Sequence, residues 1–494
     1  MSAGKNRSRE CCQKRRKRIA VKASPAEWTR TLSLDQALET LKRDADEVVE
    51  TSCATVVLKG DQAYKLKRDV DFGFLDFSSA DKRRHALELE LRYNQRTAAD
   101  IYREVIEVDG EAVLVMRRFD RAGVLGEQSL LPGWAPDLDL MQDLGETIAE
   151  FHARSEVSRD ETHACNIKYT IDSNDEHIAR FRDSLGDLVD AYHDAIYAAF
   201  DALAAEVRKR FENGHIRRCH GDMHLNNILI EDGKPVLFDC IEFNEHLIQV
   251  DVLYDLGFLL MDLWVRGQHT AANRVFNAWL DKTARLEGED GLYESLKLLP
   301  FFMSARAGVR CQVSAHAGDM AAARTYLDAA LSFLIDVPAT ASAIGGLSGS
   351  GKSTRGRAVA AGKGRAPGAV LLRSDELRKR LWGCPSFEPL PKAAYTPEES
   401  VRTYEHMFAL GRRILASGQS VIFDATFREA HWREAAEAVA DTSRVPFDGL
   451  WLEVPAQIRQ QRVDGRTRDV SDATSAVAAG QAPVDPATIS WQFG

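Results

Sequence analysis

The sequence predicts two folded regions in series, an α+β region over residues 29–338 and an α/β region over 342–494, preceded by a basic, disordered tail over 1–28. Three observations lead there. At 494 residues the chain exceeds what one ordinary core absorbs, so two or three domains are expected. From Thr29 to Pro338 strand patterns come early and helical patterns late, which suggests a small sheet-rich lobe on a helical lobe. From Ala341 onward short apolar segments alternate with helical ones, as βαβ units around a parallel sheet require.

Each element has its own justification. The tail carries Lys14-Arg15-Arg16-Lys17-Arg18, a run that suits a solvated segment and, in principle, RNA or anionic lipid. Ala54–Leu58 and Ala63–Leu66 read as paired strands around the turn Lys59-Gly60-Asp61. Apolar residues at helical spacing predict a helix over Lys82–Ala98, and residues 111–118 read as a further strand. Asn227–Ile230 and Pro235–Phe238 flank the turn Glu231-Asp232-Gly233 as a hairpin. Pro338 and its small neighbours interrupt a helix, placing the boundary near 338–342. Beyond it Ala343-Ile344 leads into a glycine-rich loop, and Ala369–Leu372, Ser420–Phe423 and Gly449–Val454 read as strands. Ala476–Gln481 fits helix or loop equally.

Composition narrows the class. Hydrophobic residues at 45% and charged residues at 28% are ordinary for a globular protein, and the net charge of −10 argues against general nucleic-acid or membrane-surface binding. The eight cysteines show no zinc-type pair of pairs and read as reduced thiols in a cytoplasm. The longest apolar run, Val252–Trp264, is broken by Asp255 and Asp262 and is too short to span a bilayer. The N-terminus lacks the apolar core and cleavage site of a secretory signal. A cytoplasmic location is the expectation.

The surest motif is Gly346-Leu347-Ser348-Gly349-Ser350-Gly351-Lys352-Ser353, with Thr354 following, which satisfies GxxxxGK[ST] at every defined position. Its glycines let backbone N–H groups turn inward around phosphate oxygens, and the helix that follows presents its positive end to the anion. Lys352 is placed to reach the β- and γ-phosphates and the Ser353 hydroxyl to ligate Mg²⁺. Asp424, ending Val421-Ile422-Phe423-Asp424, is the candidate carboxylate for Mg²⁺ or its water; an ordinary strand-end Asp is the alternative. Asp375, just past the second strand, is placed to orient and deprotonate a substrate hydroxyl. Arg459, Arg462, Arg466 and Arg468 recur at a spacing that puts several on one helical face, either as a lid over the triphosphate or as a solvated basic face. This constellation resembles the small P-loop kinases related to chloramphenicol phosphotransferase, gluconate kinase, zeta-toxin proteins and phage polynucleotide kinase. The resemblance implies phosphoryl transfer to a hydroxyl, with Arg462 and Arg466 at the nucleotide.

A second constellation lies in the first region. His220-Gly221-Asp222-Met223-His224-Leu225-Asn226-Asn227 is followed by Pro235-Val236-Leu237-Phe238-Asp239, an apolar strand ending in an acid. An Asp suited to accept a substrate proton and an Asn five residues on, suited to hold Mg²⁺, are what phosphoryl transfer needs of a loop. The arrangement looks like the catalytic loop of aminoglycoside phosphotransferases, which share the bilobal protein-kinase architecture. On that resemblance Asp222 is the base, and Asn227 and Asp239 are the Mg²⁺ ligands. A kinase lysine is then expected on an early strand: Lys65 with Glu90, although Lys67 shares the face and Glu88 is a second candidate partner. Asp251 and Asp255 either brace the loop or lie on the surface. A GxGxxG loop over the phosphates is missing, as it often is in aminoglycoside-type kinases.

Together these stretches, with Phe72–Ser78, Phe238–Asn244 and Arg466–Thr474, resemble a bacterial fusion of an aminoglycoside-phosphotransferase-like domain with a P-loop ATP-binding domain. The expectation is an ATP- and Mg²⁺-dependent phosphotransferase acting on the hydroxyl of a small molecule. Two alternatives stand beside it: a nucleotide-dependent regulator with a degenerate kinase domain, and a nucleic-acid end kinase. The retained Asp222, Asn227 and Asp239 favour the enzyme, and the acidic balance disfavours nucleic acid.

Overall fold

The computed structural model describes residues 25–71, 75–465 and 470–494, with side chains from Ser33 onward. The run Lys14–Arg18, Phe72–Phe74, and Arg466 and Arg468 lie outside the described residues. The chain divides into two compact units, one comprising residues up to Leu91 with Asp100–Arg118, the other Arg92–Ala99 with Phe119–Gly494.

The first unit is built on an antiparallel sheet of β1 (Glu47–Glu50), β2 (Ala54–Lys59), β3 (Gln62–Lys67), β4 (Tyr102–Val108) and β5 (Glu111–Arg117) in the order β1-β2-β3-β5-β4. The β2–β3 hairpin is the pair read from the sequence; β1 and β4, with mostly exposed or half-exposed residues, gave no alternating signal there. Helix α1 (Pro25–Lys42) begins inside the stretch read as tail, because Pro25 supplies a first helical residue that needs no N–H partner. It seals the sheet through Leu34, Ala37 and Leu41 on Val57, Leu66 and Val113. Helix α2 (Ala80–Asn94) stops short of the expected Ala98, its end followed by turns at Arg96 and Thr97.

In the second unit the first half is helical: α3 (Leu138–Arg154), α4 (Asn166–Ala179), α5 (Leu188–Glu212), α6 (Val252–Val265), α7 (His269–Glu287), α8 (Leu299–His316) and α9 (Met320–Phe333). Two short ladders, β6 (Ile216–Arg218) with β9 (Gln249–Asp251) and β7 (Ile228–Glu231) with β8 (Lys234–Leu237), interrupt it. The long apolar run is α6, buried along nearly its whole length.

The second half is a five-stranded parallel sheet of β10 (Ala341–Gly346), β11 (Val370–Arg373), β12 (Val421–Asp424), β13 (Phe447–Leu452) and β14 (Gln492–Phe493) in the order β11-β12-β10-β13-β14. Helices α10 (Lys352–Ala360), α11 (Ser374–Leu381), α12 (Pro397–Ala416), α13 (Ala430–Ser443), α14 (Ala456–Asp464) and α15 (Ser475–Gly480) accompany it. The strand order is that of a P-loop sheet, with β10 central and buried throughout. Both architectures predicted from the sequence, the kinase-like one and the P-loop one, are therefore present.

The edge strand β11 does not face solvent with bare amides. Asn273 on α7 donates to the carbonyls of Pro367 and Ala369, each at 3.0 Å, and Asn277 accepts from the Leu371 amide at 2.7 Å. Two side-chain amides thus finish a sheet edge that would otherwise pair with another chain. One hydrophobic core joins the helices to the sheet, running from Leu144 and Trp279 to Phe423 and Trp491.

Candidate functional site

The loop at His220–Asn227 is fixed from behind. Asp255, fully buried on α6, accepts from the amides of His220 at 3.1 Å and Gly221 at 2.9 Å. One helical stretch further on, Asp262 accepts from the Leu225 amide at 3.1 Å and is held by Arg266 at 2.9 Å. Both polar interruptions of the apolar run are therefore struts for one loop. Asp255 is itself oriented: the Trp279 indole N–H donates to His152 Nδ1 at 3.1 Å, which leaves His152 Nε2 carrying the proton it shares with Asp255 at 3.1 Å. Arg306 from α8 adds a donor to the Gly221 carbonyl at 2.8 Å and stacks on Tyr254, 3.8 Å from the ring centre.

Gly221 cannot be replaced cheaply. Its φ is +81°, and a Cβ there would lie 2.8 Å from the Leu247 carbonyl oxygen. Asp251, by contrast, does not touch the loop. It caps α6 through the Leu253 amide and takes a bidentate pair from Arg210, at 2.6 Å for each bond.

On this scaffold Asp222 is half-buried. Asn227 Nδ2 donates to its Oδ2 at 3.0 Å and to its carbonyl at 2.9 Å, while His224 Nε2 lies 3.3 Å from the same Oδ2. Burial pushes the Asp222 carboxyl up. The His224 charge and hydrogen bond, with His220 and Arg306 behind them, outweigh it and hold the group far below the usual carboxylate range. His224 responds in the opposite sense: burial lowers it, but Asp222 carries it above the ordinary histidine value. Asp239 follows β8 in a left-handed conformation at φ +60°, turning the chain just after the strand.

His152, Cys219 and Asp255 place ligand-type atoms within 4.8 Å of one another. Each is already engaged in the brace, since Cys219 Sγ donates to the Val250 carbonyl at 3.5 Å, so the cluster is a hydrogen-bonded support.

In the first unit, Glu90 is fully buried and takes both lysines, Lys65 at 2.6 Å and Lys67 at 2.7 Å. Glu88 is exposed.

The P-loop follows β10 and opens α10. Gly349 and Gly351 have φ of +84° and +93°, and a Cβ on Gly349 would meet the Arg459 carbonyl oxygen at 2.5 Å. Lys352 Nζ donates to the Leu347 carbonyl at 3.1 Å, across the loop. Ser348 is pinned at its amide by Gln481, 2.8 Å away, and Leu347 and Ser350 are buried. Ser353 Oγ donates to Asp424 Oδ2 at 2.6 Å, and Arg373 Nε lies 3.5 Å from that oxygen.

The arginines of the lid segment divide. Arg459 on α14 is buried and donates to the carbonyls of Val454, Ser348 and Ala478, so it neither covers a ligand nor lies on a solvated face. Arg462 reaches the Ser350 carbonyl at 3.2 Å. Arg466 is outside the described residues. Asp375 sits half-buried in the first turn of α11, and Thr354 is exposed in the first turn of α10.

The chemistry of both donor sets suits a hard divalent cation. Ser353 with Asp424 offers hydroxyl and carboxylate oxygens, and Asn227 with Asp239 offers amide and carboxylate oxygens. The buried Ser350 hydroxyl has no hydrogen-bond partner among the described residues, in a loop whose amides suit an anion.

Comparison with known proteins agrees with this division. Residues 120–294, which contain Asp222, Asn227 and Asp239, match the family described as "Phosphotransferase enzyme family". Residues 343–483, which contain the P-loop, Asp375 and Asp424, match the family described as "AAA domain". Two different family models thus match separate segments of the one chain, a phosphotransferase model over the segment that holds Asp222 and an AAA model over the segment that holds the P-loop. Uncharacterized proteins of Mycobacterium tuberculosis and Mycobacterium bovis are each 27% identical over 457 residues, covering 88% of this chain and 89% of their own. Among solved structures, a choline/ethanolamine kinase family protein from Mesorhizobium loti covers 62% of this chain and 94% of its own, at 15% identity and a TM-score of 0.39. Choline kinase from Cryptosporidium parvum covers 62% and 95%, at 10% identity and 0.40. An aminoglycoside phosphotransferase solved with GDP and kanamycin covers 60% and 97%, at 15% identity and 0.35. Among the described residues no helix is long and apolar enough to cross a membrane.

Proposed function

We propose that the chain is a cytoplasmic ATP-dependent phosphotransferase with two nucleotide sites, one in residues 29–338 and one in 342–494, each serving a small-molecule hydroxyl. The observation that carries this is Asp222. Its carboxylate is kept ionised, aimed by Asn227 and His224, and mounted on a loop whose amides end on two buried aspartates.

At the first site Asp222 orients the acceptor hydroxyl and takes its proton as the oxygen bonds to the γ-phosphorus and the bridging bond to ADP breaks. A weak base suffices, because the transition state of phosphoryl transfer is loose and positioning dominates. Asn227 and Asp239 would hold Mg²⁺, and Lys65, set by Glu90, would meet the phosphates. At the second site the P-loop amides, Lys352 and Arg462 would hold the triphosphate, Ser353 and Asp424 the metal, and Asp375 would receive the acceptor proton. Mg²⁺, when bound, neutralises charge on the phosphates.

Equilibrium binding of a Mg²⁺ complex of non-hydrolysable ATP tests the two-site reading. The wild type should bind two equivalents and Lys352→Ala one; one equivalent in both would remove the P-loop from the account.

A further inference from the structure

Helix α8 carries Arg306 and Arg310 one turn apart, and side chains four residues apart share a helix face. That face meets the His220–Asn227 loop, since Arg306 donates to the Gly221 carbonyl at 2.8 Å. Arg306 is tied down there by its stacking on Tyr254 and by Asp255 at 3.6 Å. Arg310 is not held in that way. It is half-buried, its guanidinium lies 5.5 Å from the centre of the Tyr326 ring, and it shares a hydrogen bond with that side chain. Its Nε is buried without a hydrogen-bond partner, and no described carboxylate forms an ion pair with it.

The acids around the loop have partners of their own. Asp222 accepts from Asn227 and lies against His224, and Asp262 accepts from the Leu225 amide and from Arg266. Asp255 takes the His220 and Gly221 amides and His152. Asp239 and Glu242 likewise have partners other than Arg310. Arg310 nevertheless acts on the reacting end of the loop. Burial lowers its pKa, while Tyr326, Asp262 and Asp222 raise it above the ordinary arginine value. At His224 burial and the Arg310 charge lower the pKa together, and Asp222 outweighs both. A full positive charge thus stands within electrostatic reach of Asp222, with its Nε–H uncommitted.

A half-buried cation without a counter-ion is unfavourable, and a ligand that supplies the counter-ion relieves it. Carboxylate and phosphate suit arginine best, because its fork of donors meets two oxygens at once. We propose that Arg310 is the specificity residue of the first site, holding a carboxylate or phosphate of the acceptor while the acceptor hydroxyl meets Asp222. The acceptor is then an anionic hydroxyl compound, a hydroxy acid or the phosphate ester of a polyol. Asp222 alone would repel such a molecule, and Arg310 offsets that repulsion. The proposal rests on Asp222 being the base of the first site.

Calorimetric titration of the full chain carrying Lys352→Ala, which keeps the probes off the P-loop, tests it with glycerate, glycerol 3-phosphate, glycerol and choline. At least one of the two anions should bind with a Kd below about 10 mM, and glycerol and choline should not. Binding should weaken about ten-fold in Arg310→Gln and return to within about three-fold in Arg310→Lys. Which anion binds separates a carboxylate from a phosphate. Binding of neither anion overturns the proposal, and so does anion binding that Arg310→Gln leaves unchanged. Should Arg310→Gln fail to fold, the order of the four probes on the chain with Arg310 intact decides the case. Label transfer from γ-labelled ATP to the bound anion supplies a second readout. Arg310→Gln should raise the acceptor KM about ten-fold and leave kcat within about two-fold, whereas a loss confined to kcat would make Arg310 a support of Asp222 and overturn its role in specificity. Arg310-dependent binding without any transfer would count against Asp222 as the base and leave the anion site standing. Transfer to glycerol or choline, with no anion bound, would keep Asp222 as the base and overturn the role of Arg310.

Discussion

Lys65 and Lys67 divide one carboxylate between them. Glu90 has no exposure and each of its oxygens faces one ammonium, with the Lys67 side chain only 3% exposed and that of Lys65 14%. On the proposed reading burial assigns them different work: the deeper lysine neutralises Glu90, while the more exposed one is the lysine that meets a phosphate. Lys67→Met should therefore lower stability by about 2 kcal/mol with little effect on the KM for ATP. Lys65→Met should raise that KM about ten-fold or more and leave stability nearly unchanged. Steady-state kinetics alongside urea unfolding distinguishes the two, and a KM effect confined to Lys67 would exchange their roles. The sequence put both lysines on one face by strand alternation and left Glu88 open as partner. Only the helical phase of α2 in the folded unit turns Glu90 inward and Glu88 out. Contiguous motifs such as Gly346–Ser353 and His220–Asn227 were legible because neighbouring residues make them. Arg306 was not, since it reaches Gly221 from 85 residues away with no local pattern to announce it.

At the scale of elements, α6 shows why an acid in an apolar run is informative. Asp255 and Asp262 interrupt Val252–Trp264; the sequence used Asp262 only to exclude a membrane span and left Asp255 open between bracing the loop and lying on the surface. In the fold they are the two positions that accept the loop's amides. Asp255→Asn keeps the shape but loses the charge that two N–H groups and His152 point at. It should cost about 3 kcal/mol of stability and lower first-site kcat by one to two orders of magnitude. Denaturation and kinetics of this variant together check the strut; unchanged values in both would contradict it. A second element-scale effect is acidic. Burial depresses the pKa of His215, which precedes β6, to about 4, from the ordinary histidine value of 6.5. Between these values the unfolded chain binds a proton that the folded one does not, so stability rises with pH across that window and is lost as pH falls through it. Relative to His215→Gln, the wild type should lose about 2–3 kcal/mol between pH 7 and pH 4 in urea unfolding. Parallel pH curves would mean His215 titrates normally in the fold.

For the whole molecule, the sequence conveyed architecture better than assembly. The alternation after Ala341 predicted a parallel sheet, and the early strands predicted a sheet-rich lobe. Short or exposed strands such as β1, β4 and β14 were missed because period and propensity are weak over so few buried positions. Nothing local marks Asn273 and Asn277 as the side chains that finish the edge of β11. Nor does local pattern mark the single core that joins the helices to the P-loop sheet. That shared core places the helices that brace the His220–Asn227 loop and the P-loop sheet in one packed body, and the proposed function sets one phosphoryl-transfer site on each. The measurement that tests this most directly is label transfer from γ-labelled ATP to a library of hydroxyl metabolites, on wild type, Asp222→Ala and Lys352→Ala. Two phosphoryl-transfer sites require that an acceptor become labelled and that each substitution remove part of the transfer. Transfer that survives Asp222→Ala in full, with only Lys352→Ala lowering nucleotide turnover, would contradict the account and make the first region a ligand-binding partner of a P-loop switch.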